Sequence, residues 1–219
     1  MTASARALLE SVQQELAPHE DDNRLVPLAR DGRAPRAVLA ALAAEEHRIV
    51  RSDWRSFLTL AARAEDEPTR EFFGGLAQGE SVALKALPAL AAALGMDEAA
   101  VRAYQPQAGC QAYPSYLAWL ALNAEPADVV VAVTANFAAW GAYCADIAQA
   151  LRTHYGLDDE ACAFFDFFAA PPPDGEQQAI AAVQAGIDAG RATDYAREYG
   201  RLFQSYELMF WNTLADQAF

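Results

Sequence analysis

The sequence has 219 residues, of which 53% are apolar and 21% are charged, a balance typical of a globular protein with a sizeable core. Its formal net charge is -14, so its surface as a whole repels phosphate backbones. We therefore expect neither nucleic acid nor an anionic membrane among its partners, and a DNA-binding regulator is a poor fit.

The first half of the chain predicts helices, because apolar residues recur with helical period and strand-like alternation is rare. An N-terminal helix is predicted at about 3–16, followed by a loop through 18–23. A long helix runs from about 35 to 63 and starts with a proline in its first turn. Another runs from about 68 to 94 and stops at Gly95, and Asp97 caps a short helix after it.

The second half continues in the same way, with helices predicted at 113–122 and 126–155, the latter stopped by Gly156. The segment 158–168 is short and aromatic, and Pro171–Gly175 is the clearest loop. The last two helices are expected at about 176–189 and 193–216. The run Val129–Val133 could be a buried strand, but it continues into a helical pattern, so we interpret it as helix. The prediction is an all-α bundle, a single domain over residues 1–219.

The cellular location is inferred from the cysteines and the apolar segments. Three cysteines are too few for a disulfide framework and form no Cys-x-x-Cys pair. The first residues lack the basic and apolar regions of a signal peptide, and we see no run of eighteen apolar residues. We therefore expect a cytoplasmic protein without a membrane partner.

The closing segment Ser205-Tyr206-Glu207-Leu208-Met209-Phe210-Trp211 contains the most informative residue, Glu207. On a helix, Glu207 shares the apolar stripe with Phe203, Phe210, Trp211 and Leu214. A carboxylate there loses hydration, which costs several kcal/mol unless it is protonated, paired or hydrogen-bonded. Glu207 is therefore a candidate acid or base. The alternative is a buried Glu that an Arg or Tyr holds for structure alone.

Other helices place single polar residues within apolar stripes. Glu46 shares a predicted face with Leu39, Leu42, Val50 and Trp54. Glu80 lies in the stripe of the next helix, and Asn136 falls between Val133 and Trp140. Each residue alone has a structural explanation, but several helices that each contribute one polar group suit a ligand pocket within a bundle.

Metal and cofactor chemistry is poorly supported by the residue pattern. A di-iron carboxylate site uses Glu-x-x-His pairs, whereas the corresponding place here reads Glu80-Ser-Val-Ala83. Only His47 suits a haem ligand, and Cys144 has no basic neighbour in sequence to lower its pKa. We predict no metal and no cofactor.

At this point the chain resembles the TenA/thiaminase II family, whose fold is a haem-oxygenase-like helical bundle. The segment from Asn23 to Arg36 is similar to the family's opening segment, and Ser205–Trp211 is similar to its closing signature. The resemblance covers about residues 20–216 and leaves an N-terminal helix and loop at 1–22 outside it. It implies a pocket for an aminopyrimidine and an assembly of identical subunits.

The resemblance also implies roles for individual residues. Glu207 handles protons, Glu46 (or Glu45, if the register is shifted by one) holds the substrate ring, and Tyr113 lines the pocket. Trp140 and Tyr206 complete the predicted substrate-binding set. The family's cysteine nucleophile matches Asn136, which cannot form a thiolate, so this chain is a divergent member. Cys144 lies about 12 Å farther along the same helix.

Three functions follow from these observations. The first is an enzyme that acts on a C–N bond of a small nitrogen-containing molecule, as in aminopyrimidine hydrolysis, with Glu207 as acid and base. The second is a diverged enzyme of natural-product biosynthesis that forms or breaks a bond, for which Asn136 is the main support. The third is a small-molecule-binding protein without catalytic activity.

Overall fold

The computed structural model describes residues 4–19, 21–170 and 172–218, and these residues form helices without any strand. Their bounds, in chain order, are α1 Ala5–Leu16, α2 Leu25–Arg30, α3 Arg36–Arg63, α4 Glu67–Ala93, α5 Glu98–Ala103, α6 Ala108–Asn123, α7 Pro126–Tyr155, α8 Asp159–Ala169, α9 Gly175–Asp188, α10 Tyr195–Ala215 and a 3₁₀ turn, Asp216–Ala218. The all-α prediction is confirmed. Residue 3, Glu20 and Pro171, which enter the predicted N-terminal helix and two predicted loops, lie outside the described residues.

Helix boundaries follow local signals where the sequence carries them. Pro126 begins α7, and Gly156 ends it with a φ of 69°, a left-handed conformation that glycine adopts without strain. The Val129–Val133 run is helical, as interpreted from the sequence. The side chain of Asp97 caps α5 by accepting the N–H of Ala100 at 2.7 Å.

Two predictions about element boundaries were wrong. Helix α6 begins at Ala108, five positions before the predicted start, because Gly109 and Pro114 hide its helical pattern in the sequence. A Cβ at Gly109 would lie 2.0 Å from Thr213 Oγ1, so the glycine permits the close approach of α6 and α10. The second error is α2, a short helix within the segment from Asn23 to Arg36 that the sequence reading left without a helix.

The arrangement brings the middles of α3, α4, α6, α7 and α10 together around one interior. Helix α3 packs along α4 and α6, while α10 packs between α6 and α7, and α8 covers α4 and α7. One predicted core position was wrong: Trp54 is 38% exposed. At Trp54 the reading was one position off, because the preceding residue, Asp53, occupies the interior position and is 3% exposed.

Helix α7 has the length and hydropathy of a membrane-spanning helix, contrary to the sequence reading that found no such segment. The stretch from Val129 to Ala145 carries no charged residue. In the structure, however, α7 packs against α1, α2, α8, α9 and α10. The apolar run Val129–Val133, near its N-terminus, is buried by these neighbours.

Candidate functional site

Glu207 lies in the interior of the bundle and is 2% exposed. It projects from the apolar face of α10, between Phe203 and Phe210, as its spacing predicts. Asn136 on α7 donates one amide hydrogen bond to Glu207 Oε2 and another, of 2.9 Å, to Gln204 Oε1. The indole N–H of Trp211 donates to Glu207 Oε1 over 3.1 Å. Both carboxyl oxygens are thus held by protein donors, which fixes their orientation.

The pKa of Glu207 rises from 4.5 to about 7 because burial disfavours the charged form. The hydrogen bonds from Asn136 and Trp211 oppose this rise, since both favour the carboxylate. The carboxyl group is therefore available in both protonation states near neutral pH.

Glu46 is a second buried carboxyl near Glu207, and its surroundings differ from those of Glu45. Burial raises the pKa of Glu46 well above 4.5, and the charges of Asp53, Glu207 and Glu45 raise it further. Its Oε1 atom has no hydrogen-bond partner, although the residue is 1% exposed.

Glu45 is also buried, but it faces the junction of α5 and α6 instead. Its carboxylate accepts the Tyr104 hydroxyl at 3.0 Å, the Gln107 N–H at 2.7 Å and Gln111 Nε2 at 2.6 Å. Three donors satisfy this carboxylate, so Glu45 joins α3 to the start of α6. Of the two neighbours, Glu46 is the one that lies with Glu207.

Asp53 is a site residue that the sequence reading missed. Burial raises its pKa from 3.8 to about 8, and the Tyr113 hydroxyl beside it lowers the pKa. Its Oδ1 atom has no hydrogen-bond partner. The signal was present in the sequence, because Asp53 follows Glu46 by seven residues, which is two helical turns and therefore the same face.

Glu80 and Tyr113 complete a group that we call the carboxyl cluster: Glu46, Asp53, Glu80, Glu207 and the phenol of Tyr113. Burial and the charges of Asp53 and Glu46 raise the pKa of Glu80 well above its ordinary value. Burial and the charges of Asp53, Glu80 and Glu207 raise the pKa of Tyr113 well above 10. In the described part of the chain no salt bridge reaches the cluster, so its acidic groups are not balanced by a protein cation.

The aromatic residues of the predicted binding set lie in two different places. Trp140 packs on Trp211 with a ring separation of 5.6 Å, so it covers the indole that holds Glu207. Tyr143 also contacts Trp211, at 5.7 Å. Tyr206 points away from this group, and its ring lies 5.1 Å from that of Tyr116, in an aromatic layer between α6 and α10.

The cysteines of the interior are poor nucleophiles. Burial raises the pKa of the Cys144 thiol well above 9, and the charges of Glu46 and Glu207 add to this effect. Burial and the charges of Glu45 and Glu46 likewise raise the pKa of Cys110. Among the described residues, no three His, Cys, Asp or Glu side chains are placed to share a metal ion.

Solved structures with similar folds identify the architecture. A Shewanella denitrificans domain with a haem-oxygenase-like fold shares 15% identity and a TM-score of 0.67, over 98% of this chain and 88% of its own. A Silicibacter protein described as a TenA family transcription regulator shares 16% identity and a TM-score of 0.68, over 95% and 96%. A proposed TenA-like thiaminase from Sulfolobus solfataricus shares 14% and a TM-score of 0.64, over 97% and 94%. The chain thus has the haem-oxygenase-like, all-α fold.

The sequence itself matches the model of the TENA/THI-4/PQQC family over residues 9–216, and the chain belongs to this family. The match extends the resemblance, which we had traced from about residue 20, into α1. No protein of curated function matches the chain.

Proposed function

We propose that the protein is a TenA-like enzyme that acts on a C–N bond of a small nitrogen-containing molecule, with Glu207 as acid and base. The observation that supports this most is a buried carboxyl whose pKa is about 7, held by two donors. A general acid or base is most effective when its pKa lies near the working pH. Membership of a family that contains a proposed thiaminase agrees with this chemistry.

The substrate class follows from the unsatisfied acceptors in the carboxyl cluster. Glu46 Oε1 and Asp53 Oδ1 are buried acceptors without a donor, which is costly unless a ligand supplies N–H groups. A protonated or N–H-rich ligand, such as an aminopyrimidine, satisfies these atoms and favours the ionised carboxyls. Glu46 is the proposed anchor, and Tyr113 is the proposed neighbouring contact.

The proposed reaction is direct hydrolysis without a covalent intermediate, since Asn136 stands where a thiol would attack. The Glu207 carboxylate takes a proton from water as the water oxygen bonds to carbon. The same carboxyl returns a proton to the leaving nitrogen as the C–N bond breaks. Asn136 acts as a positioning residue, because both of its amide hydrogens are used by Glu207 and Gln204.

A second candidate is a specialised biosynthetic enzyme that forms or breaks a bond other than that of an aminopyrimidine. It is favoured by the same substitution at Asn136, together with the raised thiol pKa of Cys144.

For the assembly we retain the expectation of identical subunits, which the exposed rings of Trp119 (48%) and Tyr195 (60%) would suit. A cytoplasmic location also remains our proposal.

Ammonia release from an aminomethyl-aminopyrimidine tests the proposal, with the wild type, Glu207→Gln and Glu198→Gln compared. Glu198 lies on the exposed face of the same helix and serves as the matched control. We expect Glu207→Gln to lower kcat/KM by about 100-fold or more, the range of a lost general acid or base. Glu198→Gln should remain within about twofold of the wild type.

The two alternatives give different results in the same experiment. Turnover by Glu207→Gln at the wild-type rate would refute the acid–base role. Thermal stabilisation by the aminopyrimidine without any ammonia release would instead indicate a binding protein. If aminopyrimidines give neither stabilisation nor turnover, the second candidate becomes the function to test.

A further inference from the structure

A groove of about 920 Å³ runs along α3 on the side away from the carboxyl cluster. Its walls come from α3, α4, α5 and α6, and its apolar lining includes Ala44, Ala91, Met96, Val101 and Leu122. The volume falls within the range of about 300–1,000 Å³ that is usual for small-molecule sites. With 3.6 residues per turn, the groove residue Arg55 lies about half a turn around α3 from Glu46. The groove is therefore separate from the candidate active site.

Three arginines line one stripe of this groove: Arg48, Arg51 and Arg55. Their spacings of three, four and seven residues place them on the same face of α3. All three are exposed, in a protein whose formal net charge is -14. Three like charges along one groove produce a local positive potential that attracts anions.

The partners of these arginines leave two guanidinium groups available. Arg48 donates to the Tyr104 carbonyl at 3.1 Å, and Arg102, which also lines the groove, pairs with Glu98. Arg51 and Arg55 make no salt bridge or side-chain hydrogen bond to any described residue. Elsewhere arginines reach carboxylates, as Arg152 does with two of them. The acidic excess of the chain therefore does not neutralise this stripe.

His47 lies in the same groove, and the positive charge of Arg51 affects its pKa. Its pKa falls below 6.5 because it is partly buried and because Arg51 repels the imidazolium form. The other charged groups that line the groove are Arg48 and Arg55, from its own helix, and Asp97, Glu98 and Arg102, at the cap and within α5. A neutral imidazole beside two free guanidinium groups can donate or accept one more hydrogen bond to a bound anion.

We infer that this groove binds a small phosphate monoester whose organic part is apolar. The phosphate lies against Arg51 and Arg55, whose planar guanidinium groups match its oxygens, and Arg48 adds charge. The organic part lies against the apolar lining of the groove. This site goes beyond the proposed C–N chemistry and does not depend on it, because it uses the opposite face of α3.

Calorimetric titration with phenyl phosphate tests the inference. Inorganic phosphate and phenol, which are the two parts of this ligand, are titrated separately for comparison. We expect phenyl phosphate to bind more tightly than either half, and the double variant R51Q/R55Q to weaken it about tenfold or more. R201Q removes an exposed arginine on α10, outside the groove, and should leave the affinity within about twofold. Thermal melts of both variants check that they fold.

Proton NMR of the three histidines supplies a site-specific reading. Phenyl phosphate should raise the pKa of His47, which H47Q assigns, and leave His19 and His154 unchanged. Equal affinity in R51Q/R55Q and the wild type, or an unmoved His47, would overturn the inference. It would also fall if inorganic phosphate bound as tightly as phenyl phosphate, or if light scattering showed that R51Q/R55Q changes the number of subunits. In that last case the arginines belong to a contact between copies of the chain.

Discussion

The free energy of unfolding should depend on pH through Glu207, because burial raises its pKa from 4.5 to about 7. Between these values the unfolded chain ionises this carboxyl while the folded chain keeps it protonated. The folded state then binds more protons, so it loses stability as the pH rises. The stability is fully present below pH 4.5 and is lost as the pH passes through about 7. At 1.36 kcal/mol for each pH unit, the interval corresponds to about 3 kcal/mol.

Glu207→Gln isolates this contribution, since glutamine has nearly the same shape and does not ionise. Its amide has one acceptor where Asn136 and Trp211 both donate, which costs roughly 1–3 kcal/mol at every pH. Urea unfolding at about pH 5 and about pH 8.5 separates the two effects, because the fixed cost cancels in the difference. Relative to the wild type, the variant should gain about 2.5 kcal/mol between these conditions, because part of the wild-type loss has already occurred at pH 5.

The control Glu198→Gln, at an exposed position of the same helix, should show no comparable change between the two pH values. A difference between Glu207→Gln and the wild type that is constant within about 1 kcal/mol across the range would refute the reasoning. It would mean that the Glu207 carboxyl stays ionised in the folded protein, and that the acid role proposed for it has no basis near neutral pH.

Two further predictions concern packing and thiol reactivity. Gly186→Ala places a Cβ 2.4 Å from the Ala127 Cβ and should lower the free energy of unfolding by about 1–3 kcal/mol. At Gly74 a Cβ meets nothing within 4 Å, so Gly74→Ala should raise it by about 1 kcal/mol. Melting temperatures that change in the same direction in both variants would contradict this packing. A disulfide reagent should leave the folded protein unlabelled for minutes and label three thiols after unfolding, because all of them are buried: Cys110, Cys144 and Cys162. Rapid labelling of the folded protein would show that a thiol is accessible.

The helices could be predicted from the sequence where a stop signal coincides with a change in pattern. Pro126 and Gly156 delimit α7 because each residue acts through its own backbone geometry, independently of the rest of the fold. Helix α6 lacks such a signal at its start. Gly109 there serves the contact with Thr213 on α10, and a contact between distant helices leaves no mark in the local sequence.

The sequence predicts that buried carboxyl groups form the candidate site, but it does not predict every residue that belongs to it. Glu46 and Glu207 stand out because each interrupts an apolar stripe, and the structure buries both. Asp53 was not predicted because the apolar pattern assigns its large neighbour, Trp54, to the interior position. Glu45 is buried as well, since α3 is covered on one side by α4 and on another by the junction of α5 and α6. Which side a residue faces depends on those neighbours and not on α3 alone.

The contacts of Asn136 give this residue a role that the family resemblance does not indicate. By resemblance it marks a missing nucleophile, whereas in the structure its amide holds Glu207 and Gln204 together. An amide suits this position in both protonation states of Glu207, because it presents a donor on one side and an acceptor on the other. With the acid protonated, a turn of both the Asn136 and the Gln204 amides would let Asn136 Oδ1 accept from Glu207 and from Gln204 Nε2, which has no partner otherwise. A thiol could not serve both states in this way, so the residue that removes covalent catalysis also supports a carboxyl that exchanges its proton.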